Sequence, residues 1–174
     1  ANGSSQRAIR KTRITTMREL SMEMFVNSDH HQNKEAYTIK PGLADRLKLV
    51  DASVGGEDAY KSFKDCSIPT ARFLDVSNKL CQPNARFPNT FPGSSVVENT
   101  LGDIGLAESD KVVLYYQPGT ISGACRAFFV LHAYGFNHVK VLDGGLWKYM
   151  DQNYPVVKGE DFKPAEKRKI NLTE

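Results

Sequence analysis

Short apolar runs and longer periodic stretches alternate along most of the chain. The short runs are rich in Val, Leu and aromatic residues, which is typical of buried strands, whereas the longer stretches have the apolar spacing of helices. The predicted strands are 47–53, 71–76, 111–116 and 139–142. The predicted helices are 57–64, 95–104, 124–134 and 146–150. Four strand-then-helix units with mostly short connections predict an α/β fold with a mostly parallel central sheet and helices on both faces.

Two of these helices carry additional signals. Ser95 and Glu98 have the spacing of a capping box, in which the side chain of each residue bonds the backbone of the other. The helix 124–134 is apolar on nearly every side, which predicts that it is buried against the sheet. Gly135 is its expected C-terminal stop.

Both ends of the chain depart from this pattern. We divide the chain into a basic, largely flexible amino-terminal segment at 1–42, a folded domain at 43–157 and a charged linker or tail at 158–174. Within the first segment, the apolar spacing between Met17 and Phe25 allows a short amphipathic helix. The first residues combine Arg, Lys, Ser and Thr without any acidic residue. That composition is typical of a mitochondrial presequence or of a disordered basic tail.

Composition and charge exclude several classes of function. A formal net charge of +3 is too small for the dense basic patch of nucleic-acid binding, and no apolar run approaches the roughly 20 residues that span a bilayer. The three cysteines, Cys66, Cys81 and Cys125, are too widely spaced for a disulfide framework or a zinc site. We therefore expect an intracellular protein, cytoplasmic or mitochondrial, without nucleic-acid partner, membrane partner or cofactor. The pair His30–His31 lacks a third ligand nearby, so no metal site is predicted.

The loop between the third predicted strand and the following helix is where a ligand is expected. In parallel α/β sheets, backbone N–H groups and the positive end of the helix dipole converge at this point. The candidates for holding a small anion or substrate are Gln117, Gly119, Thr120, Ser122 and Gly123. A glycine-rich turn made for tight packing alone is the alternative. The loop contains no cysteine that this environment could activate.

Several motifs, in their order and spacing, resemble the rhodanese family. They are Asp51-Ala52-Ser53 at the end of a strand, Ile68-Pro69, Ala124-x-Arg126 in a helix and Leu142-Asp143-Gly144-Gly145. More narrowly, the chain resembles the amino-terminal domain of the thiosulfate and 3-mercaptopyruvate sulfurtransferases over about residues 43–160. The resemblance implies a three-layer rhodanese-like fold.

The resemblance also implies an inactive loop. In that family, the carboxy-terminal domain begins its active-site loop with a cysteine, which accepts sulfur as a persulfide and passes it to cyanide or a thiol. The amino-terminal domain usually lacks this cysteine and packs over the site. Here Tyr116, Gln117 or Pro118 stands at the corresponding place. No catalytic residue is therefore assigned. Cys125 and Cys81 are the candidate substitutes, and Cys125 is expected to be buried in its helix, where thiols are inert.

The long polar connection at 77–93 resembles the segment through which the amino-terminal domain reaches the active site of its partner. The resemblance implies that Arg86 and Asn89 face a partner. Mercaptopyruvate sulfurtransferases supply an Asp and a His from this segment, but here the His position falls near Asn89 and the segment contains no Asp. The related cysteine phosphatases need Cys-x5-Arg, and counting back from Arg126 gives Thr120, which argues against phosphatase activity. Arg126 is instead expected to support the sheet or a neighbouring carboxylate.

Two hypotheses of different classes follow. The first is a non-catalytic rhodanese-like domain of a thiosulfate or 3-mercaptopyruvate sulfurtransferase, whose partner is a catalytic rhodanese domain in the same or a longer chain. The second is a stand-alone rhodanese-like pseudoenzyme that binds a protein partner. Further alternatives are an active sulfurtransferase with a non-standard cysteine and a module that holds a small sulfur-containing anion.

Overall fold

The computed structural model describes residues 13–26, 37–158 and 166–172. In chain order, the elements are β1 (Ile14–Thr15), α1 (Met17–Met24), α2 (Leu43–Arg46), β2 (Lys48–Asp51), α3 (Glu57–Asp65), β3 (Arg72–Phe73), α4 (Ser94–Asp103), β4 (Val112–Tyr115), α5 (Ser122–Ala133), β5 (Val139–Leu142) and α6 (Gly145–Asp151). Strands β2 to β5 and helices α3 to α6 correspond to the elements that the apolar pattern predicts.

The five strands form one sheet in the order β1-β5-β4-β2-β3, and every neighbouring pair is parallel. β4 lies at the centre, with Leu114 level with Val50 of β2 and with Val141 of β5. Because side chains alternate along a strand, Leu114 packs with α4 and α5, whereas Val113 packs with α1, α3 and α6. Helices therefore cover both faces of the sheet, and the predicted three-layer α/β fold is confirmed.

The amino-terminal residues 13–26 belong to this packed domain. Thr15 of β1 pairs with Leu142 of β5 at the edge of the sheet. α1 begins with a capping box, in which Glu19 N donates to Thr16 Oγ1 at 3.2 Å and Thr16 N donates to Glu19 Oε2 at 2.9 Å. The apolar side chains of α1 that are buried are Met17, Leu20 and Met24. The domain boundary predicted at residue 43 is therefore corrected, since these earlier residues complete the sheet and its covering layer.

The carboxy-terminal residues 166–172 are also packed, although the sequence assigned them to a charged linker or tail. Ile170 and Leu172 are buried in the apolar cluster that contains α4 and α5. Two buried apolar side chains among charged neighbours give no periodic signal, which explains why this contact was not predicted.

One prediction for the helices is wrong, and another is confirmed for one side of the helix only. α4 begins at Ser94 with Gly93 as its N-cap, so Ser95 and Glu98 do not form a capping box. The Glu98 carboxylate instead accepts a hydrogen bond of 2.6 Å from Leu172 N. α5 packs against the sheet as predicted, through buried residues such as Ala127 and Val130, but its outer residue Phe129 is 63% exposed.

Candidate functional site

The carboxyl ends of β2, β4 and β5 meet at one edge of the sheet, because the strands run in the same direction. We call this the site edge and define it by three loops, 52–56, 116–121 and 143–144. Helices begin where these loops end, and the first N–H groups of a helix have no partner within it. Ligands of open parallel sheets bind at such an edge.

The beginning of the β4–α5 loop is fixed by the β5–α6 turn. The carbonyl oxygen of Tyr116 accepts a hydrogen bond of 2.9 Å from Leu146 N. Gly145 has a φ of +57°, and a Cβ on this residue would lie 2.7 Å from the Tyr116 oxygen, so the turn requires glycine. The two-glycine motif of the sequence thus positions Tyr116, the residue at which the β4–α5 loop begins.

A buried polar network forms the floor beneath this loop. Asp51 is fully buried at the end of β2, where its Oδ1 accepts from Ser53 N at 3.0 Å and from Ser53 Oγ at 2.5 Å. Its Oδ2 accepts from Gln117 Nε2 at 2.8 Å. Burial raises the pKa of the Asp51 carboxyl, while the hydrogen bonds from Ser53 and Gln117 act in the opposite direction. The network joins the ends of β2 and β4 and locks the first residues of the loop.

The structure divides the five residues predicted to hold an anion. Gly119, Thr120 and Ser122 lie together in an exposed turn, where Thr120 Oγ1 accepts a hydrogen bond of 3.2 Å from Ser122 N. Gln117 turns inward to the floor, and its Nε2 also donates to the Cys66 carbonyl at 3.0 Å. Gly123 is buried, and a Cβ on this residue would overlap the Ala52 carbonyl oxygen. Its role is the close packing of α5 on the end of β2.

The three cysteines lie outside the β4–α5 loop. Cys125 is exposed on the first turns of α5, so the expectation of a buried, inert thiol is wrong. Cys81 is half-buried, and its Sγ lies 3.5 Å from the Ser77 carbonyl oxygen. Cys66 is half-buried near Met150, and burial raises the pKa of its thiol. Cys125 is therefore the most exposed of the three thiols, although it lies in a helix.

Arg126 supports the long loop 77–93. Its Nη2 donates to the Leu80 carbonyl at 3.0 Å and to the Thr90 carbonyl at 3.3 Å. The Tyr134 hydroxyl, just after the end of α5, donates to the Pro92 carbonyl at 2.7 Å. The expectation that Arg126 supports the sheet or a carboxylate is therefore corrected, since its observed partners are backbone carbonyls of this loop.

The tip of the long loop projects from a closed base. Gln82 closes the base, because its N–H donates to the Thr90 carbonyl at 3.0 Å and its Oε1 accepts from Gly93 N at 2.9 Å. At the tip, the Arg86 guanidinium lies 5.3 Å from the centre of the Phe87 ring, which is 66% exposed. Asn89, also exposed, has a φ of +57°, a conformation that Asn tolerates better than most residues. The two predicted partner-facing residues, Arg86 and Asn89, thus lie on the outside of one ordered loop.

An exposed apolar surface, which we call the α5 face, lies beside this loop and was not predicted. It consists of Ile121, Cys125, Phe129 and Phe91. The first three follow one another at intervals of four residues, and Phe91 of the long loop contacts Phe129 edge-on, with ring centres 5.7 Å apart. The spacing of four was visible in the sequence, but the apolar character of the whole helix concealed which side faces outward.

No metal site or membrane span is found within the described part of the chain. No group of three or more His, Cys, Asp or Glu residues there is arranged to hold a metal ion. None of its helices has the length and apolar character needed to cross a bilayer. The pair His30–His31 and the basic residues 1–12 lie outside the described residues.

Comparisons with known proteins show the family to which this chain belongs. The family model of the rhodanese-like domain matches residues 31–152. The chain is 30% identical over 134 residues to the 3-mercaptopyruvate sulfurtransferase of Homo sapiens, an alignment that covers 74% of this chain and 45% of the relative. It is 29% identical over 135 residues to the thiosulfate sulfurtransferase of Gallus gallus, covering 73% and 46% respectively. The chain belongs to the rhodanese-like domain family, as the motifs indicated.

Solved structures agree on the fold. The crystal structure of SseA from Escherichia coli, described as a 3-mercaptopyruvate sulfotransferase, superposes with a TM-score of 0.68 at 17% identity and covers 92% of this chain and 54% of that one. Tum1 from Saccharomyces cerevisiae gives a TM-score of 0.68 at 19% identity, with 91% and 48% covered. The chain spans about half the length of the curated relatives it matches.

Proposed function

We propose that this chain is the non-catalytic rhodanese-like domain of a thiosulfate or 3-mercaptopyruvate sulfurtransferase. The observation that carries the proposal is the beginning of the β4–α5 loop, where Tyr116, Gln117 and Pro118 stand and no thiol is present. Sulfur transfer through a persulfide requires a thiolate nucleophile, and neither a phenol nor an amide can replace it. The names of the matched relatives support the sulfurtransferase class.

The polar groups around the loop also support a non-catalytic role. The Gln117 amide is engaged by Asp51 and by the Cys66 carbonyl, and the Arg126 guanidinium by two backbone carbonyls. The loop 116–121 itself contains no Lys, Arg or His. A sulfur-containing anion at the exposed turn would therefore find backbone N–H groups without a cationic side chain from the loop.

In this proposal, the α5 face and the tip of the long loop bind a catalytic rhodanese domain in the same or a longer chain. Contiguous exposed apolar groups mark interaction surfaces, and aromatic residues and Arg are enriched at the centres of interfaces. Phe129, Phe91 and the Arg86–Phe87 pair provide these groups next to the site edge. The catalytic domain would supply the cysteine that carries sulfur, and this domain would cover the site and exclude water from it.

A second candidate function is a stand-alone rhodanese-like pseudoenzyme that binds another protein. The closed base of the long loop supports binding of a partner in either candidate function, because an ordered loop loses little conformational entropy on binding. The exposed thiol of Cys125 motivates the remaining alternative, an active sulfurtransferase with a non-standard nucleophile.

A sulfur-transfer assay separates the non-catalytic functions from the active alternative. The purified chain is given thiosulfate or 3-mercaptopyruvate together with cyanide, beside the variants Cys66→Ser, Cys81→Ser and Cys125→Ser. We expect no thiocyanate formation above the uncatalysed rate in any of the four proteins. Turnover that one substitution abolishes would identify a nucleophile and contradict the proposal.

A binding experiment separates the two non-catalytic functions. A catalytic rhodanese domain, purified separately from a two-domain sulfurtransferase, is titrated into the chain by calorimetry. Binding that weakens when Phe129 is replaced by Ser supports the sulfurtransferase domain. The absence of binding to the unmodified chain favours the stand-alone module instead.

A further inference from the structure

Four aromatic residues form a cluster on the side of the sheet that α1, α3 and α6 cover. Tyr154 lies at its centre, with its ring centre 5.9 Å from that of Phe25, 5.3 Å from that of Tyr37 and 5.2 Å from that of Tyr149. We call these four residues the tyrosine cluster. It joins distant parts of the chain, because Phe25 follows α1, Tyr37 precedes α2 and Tyr149 belongs to α6.

The hydroxyl group of Tyr149 has a partner within the fold. It donates a hydrogen bond of 2.8 Å to the Pro155 carbonyl, in the turn that follows α6. The same turn places Tyr154 against the helix, because Tyr154 N donates to the Tyr149 carbonyl at 3.3 Å. A phenol both donates and accepts hydrogen bonds, so the Tyr149 oxygen still has the capacity to accept one.

The hydroxyl groups of Tyr37 and Tyr154 are buried, and neither has a hydrogen-bond partner among the described residues. Tyr154 as a whole is 3% exposed, whereas Tyr37 is half-buried and its hydroxyl end is inaccessible. Burial of a hydroxyl without a partner is unfavourable, and the large majority of buried polar atoms in proteins bond either protein or ordered water. Two such groups in one cluster indicate a partner that the side chains themselves do not supply.

The hydroxyl groups of the three tyrosines face a common region. Burial raises the pKa of Tyr37, and the charge of an ionised Tyr154 raises it further. Burial likewise raises the pKa of Tyr149, with further contributions from Tyr154 and Tyr37. Because such contributions fall with distance, they require that the three oxygens lie near one another.

We propose that the tyrosine cluster holds one buried water molecule, which accepts hydrogen bonds from the Tyr37 and Tyr154 hydroxyl groups and donates one to Tyr149 Oη. Buried waters in proteins typically make about three hydrogen bonds, which is the number that this arrangement supplies. All four side chains of the cluster are uncharged, so an ion would find no counter-charge among them. The water ties the segment before α2 to the end of α6. This inference does not depend on the function proposed above.

Removal of each hydroxyl group tests the site by the sign of its effect. Tyr37→Phe and Tyr154→Phe keep the rings, but each removes one partner of the water. We expect each variant to lower Tm by about 2–4 °C, the shift that the loss of one buried hydrogen bond gives in a chain of this size. Hydroxyl groups without a partner would give the opposite sign, because their removal relieves an unfavourable burial. A raised or unchanged Tm in either variant would therefore overturn the proposal.

The double variant Tyr37→Phe/Tyr154→Phe tests whether one water serves both hydroxyl groups. Loss of a shared water leaves the second hydroxyl without its partner, so the double variant should lower Tm by clearly less than the sum of the two single shifts. Additive shifts would mean that each hydroxyl has its own partner, and would overturn the shared water. Tyr60→Phe, in an exposed position on α3, is the control and should change Tm by less than about 1 °C.

A crystal structure at high resolution separates a water from a direct contact between the two phenols. We expect a water oxygen within about 3.2 Å of both the Tyr37 and the Tyr154 oxygen, and we expect it to be lost in the double variant. A hydrogen bond between the two hydroxyl groups without an intervening water would overturn the proposal, even if the shifts in Tm are as expected.

Discussion

The side-chain amide of Gln117 donates a hydrogen bond of 2.8 Å to Oδ2 of Asp51, across the ends of the two central strands. The same nitrogen donates to the Cys66 carbonyl at 3.0 Å. The residue that follows the beginning of the β4–α5 loop therefore closes the floor of the site from within. The contact therefore fixes the first residues of a loop, 116–121, that contains no cysteine.

Gln117→Leu is expected to destabilise the fold. The substitution keeps a side chain of similar size but removes the Gln117 hydrogen bonds to Asp51 Oδ2 and to the Cys66 carbonyl. Loss of a hydrogen bond to a buried acceptor lowers the free energy of unfolding by about 1–3 kcal/mol. Urea denaturation measures the change. Ser122→Ala, at the exposed start of α5 just after this loop, should change the free energy of unfolding by less than about 0.5 kcal/mol. An equal change for both variants would contradict the role of the floor.

Asp51→Asn is expected to change the pH dependence of stability. Because burial raises the pKa of Asp51 in the folded chain, the folded state binds the proton of the Asp51 carboxyl group more tightly than the unfolded state does. The contribution of Asp51 to stability is therefore greatest below the unfolded pKa of about 3.9 and falls as the pH rises through the raised pKa. Urea unfolding of the wild type and of Asp51→Asn is compared across this pH range. The difference between their free energies of unfolding should shrink as the pH rises. An advantage that grows with pH would refute the assignment.

The orientation of Gln117 illustrates which parts of the site the sequence could predict. Motifs at the ends of β2 and β5 located the site edge, and the absence of a loop cysteine was visible directly. The sequence placed Gln117 in an anion-binding loop because it is polar and follows a strand. Its inward rotamer depends on Asp51, a partner from a distant part of the chain. Local pattern carries no information about that contact.

The fold shows the same division between local and distant contacts. Strands β2, β4 and β5 were predicted because each is a buried apolar run with its own pattern. β1 has only two residues, and it is a strand because it pairs with the backbone of β5, which lies far along the chain. Residues 166–172 are held in a comparable way, by Gly102 and Glu98 of α4. Both elements depend on partners that periodicity does not reveal.

Arg126→Met is expected to release the long loop. The variant keeps an apolar side chain of similar length but removes the donor to the Leu80 and Thr90 carbonyls. Hydrogen bonds from a charged group contribute about 1.5–3 kcal/mol, so the free energy of unfolding should fall by about that amount. The amide of Gln82, which bonds Thr90, should exchange faster while β4 remains protected. Arg86→Met, at the exposed tip, is the control, and unchanged exchange at Gln82 in Arg126→Met would argue against the support.

Cys125 is expected to react first with iodoacetamide near neutral pH. It is exposed, whereas Cys81 and Cys66 are half-buried. Burial also raises the pKa of Cys66, so its thiolate fraction and its rate of alkylation should increase as the solution is made more alkaline. Mass spectrometry of proteolytic peptides after short exposures measures the three rates. Faster labelling of Cys66 than of Cys125 would contradict the observed exposure of the two thiols.

Phe129→Ser is expected to weaken binding of a catalytic rhodanese domain without destabilising the chain. The ring is 63% exposed in the free domain, so its removal loses few packing contacts. At the centre of an interface, in contrast, an aromatic residue can contribute a large part of the binding energy. We expect Kd to rise roughly ten-fold or more, measured by calorimetry. Met22→Ser removes a similarly exposed apolar side chain from α1, on the opposite face of the sheet, and should leave Kd unchanged. Equal effects of the two substitutions would mean that the partner does not bind at the α5 face.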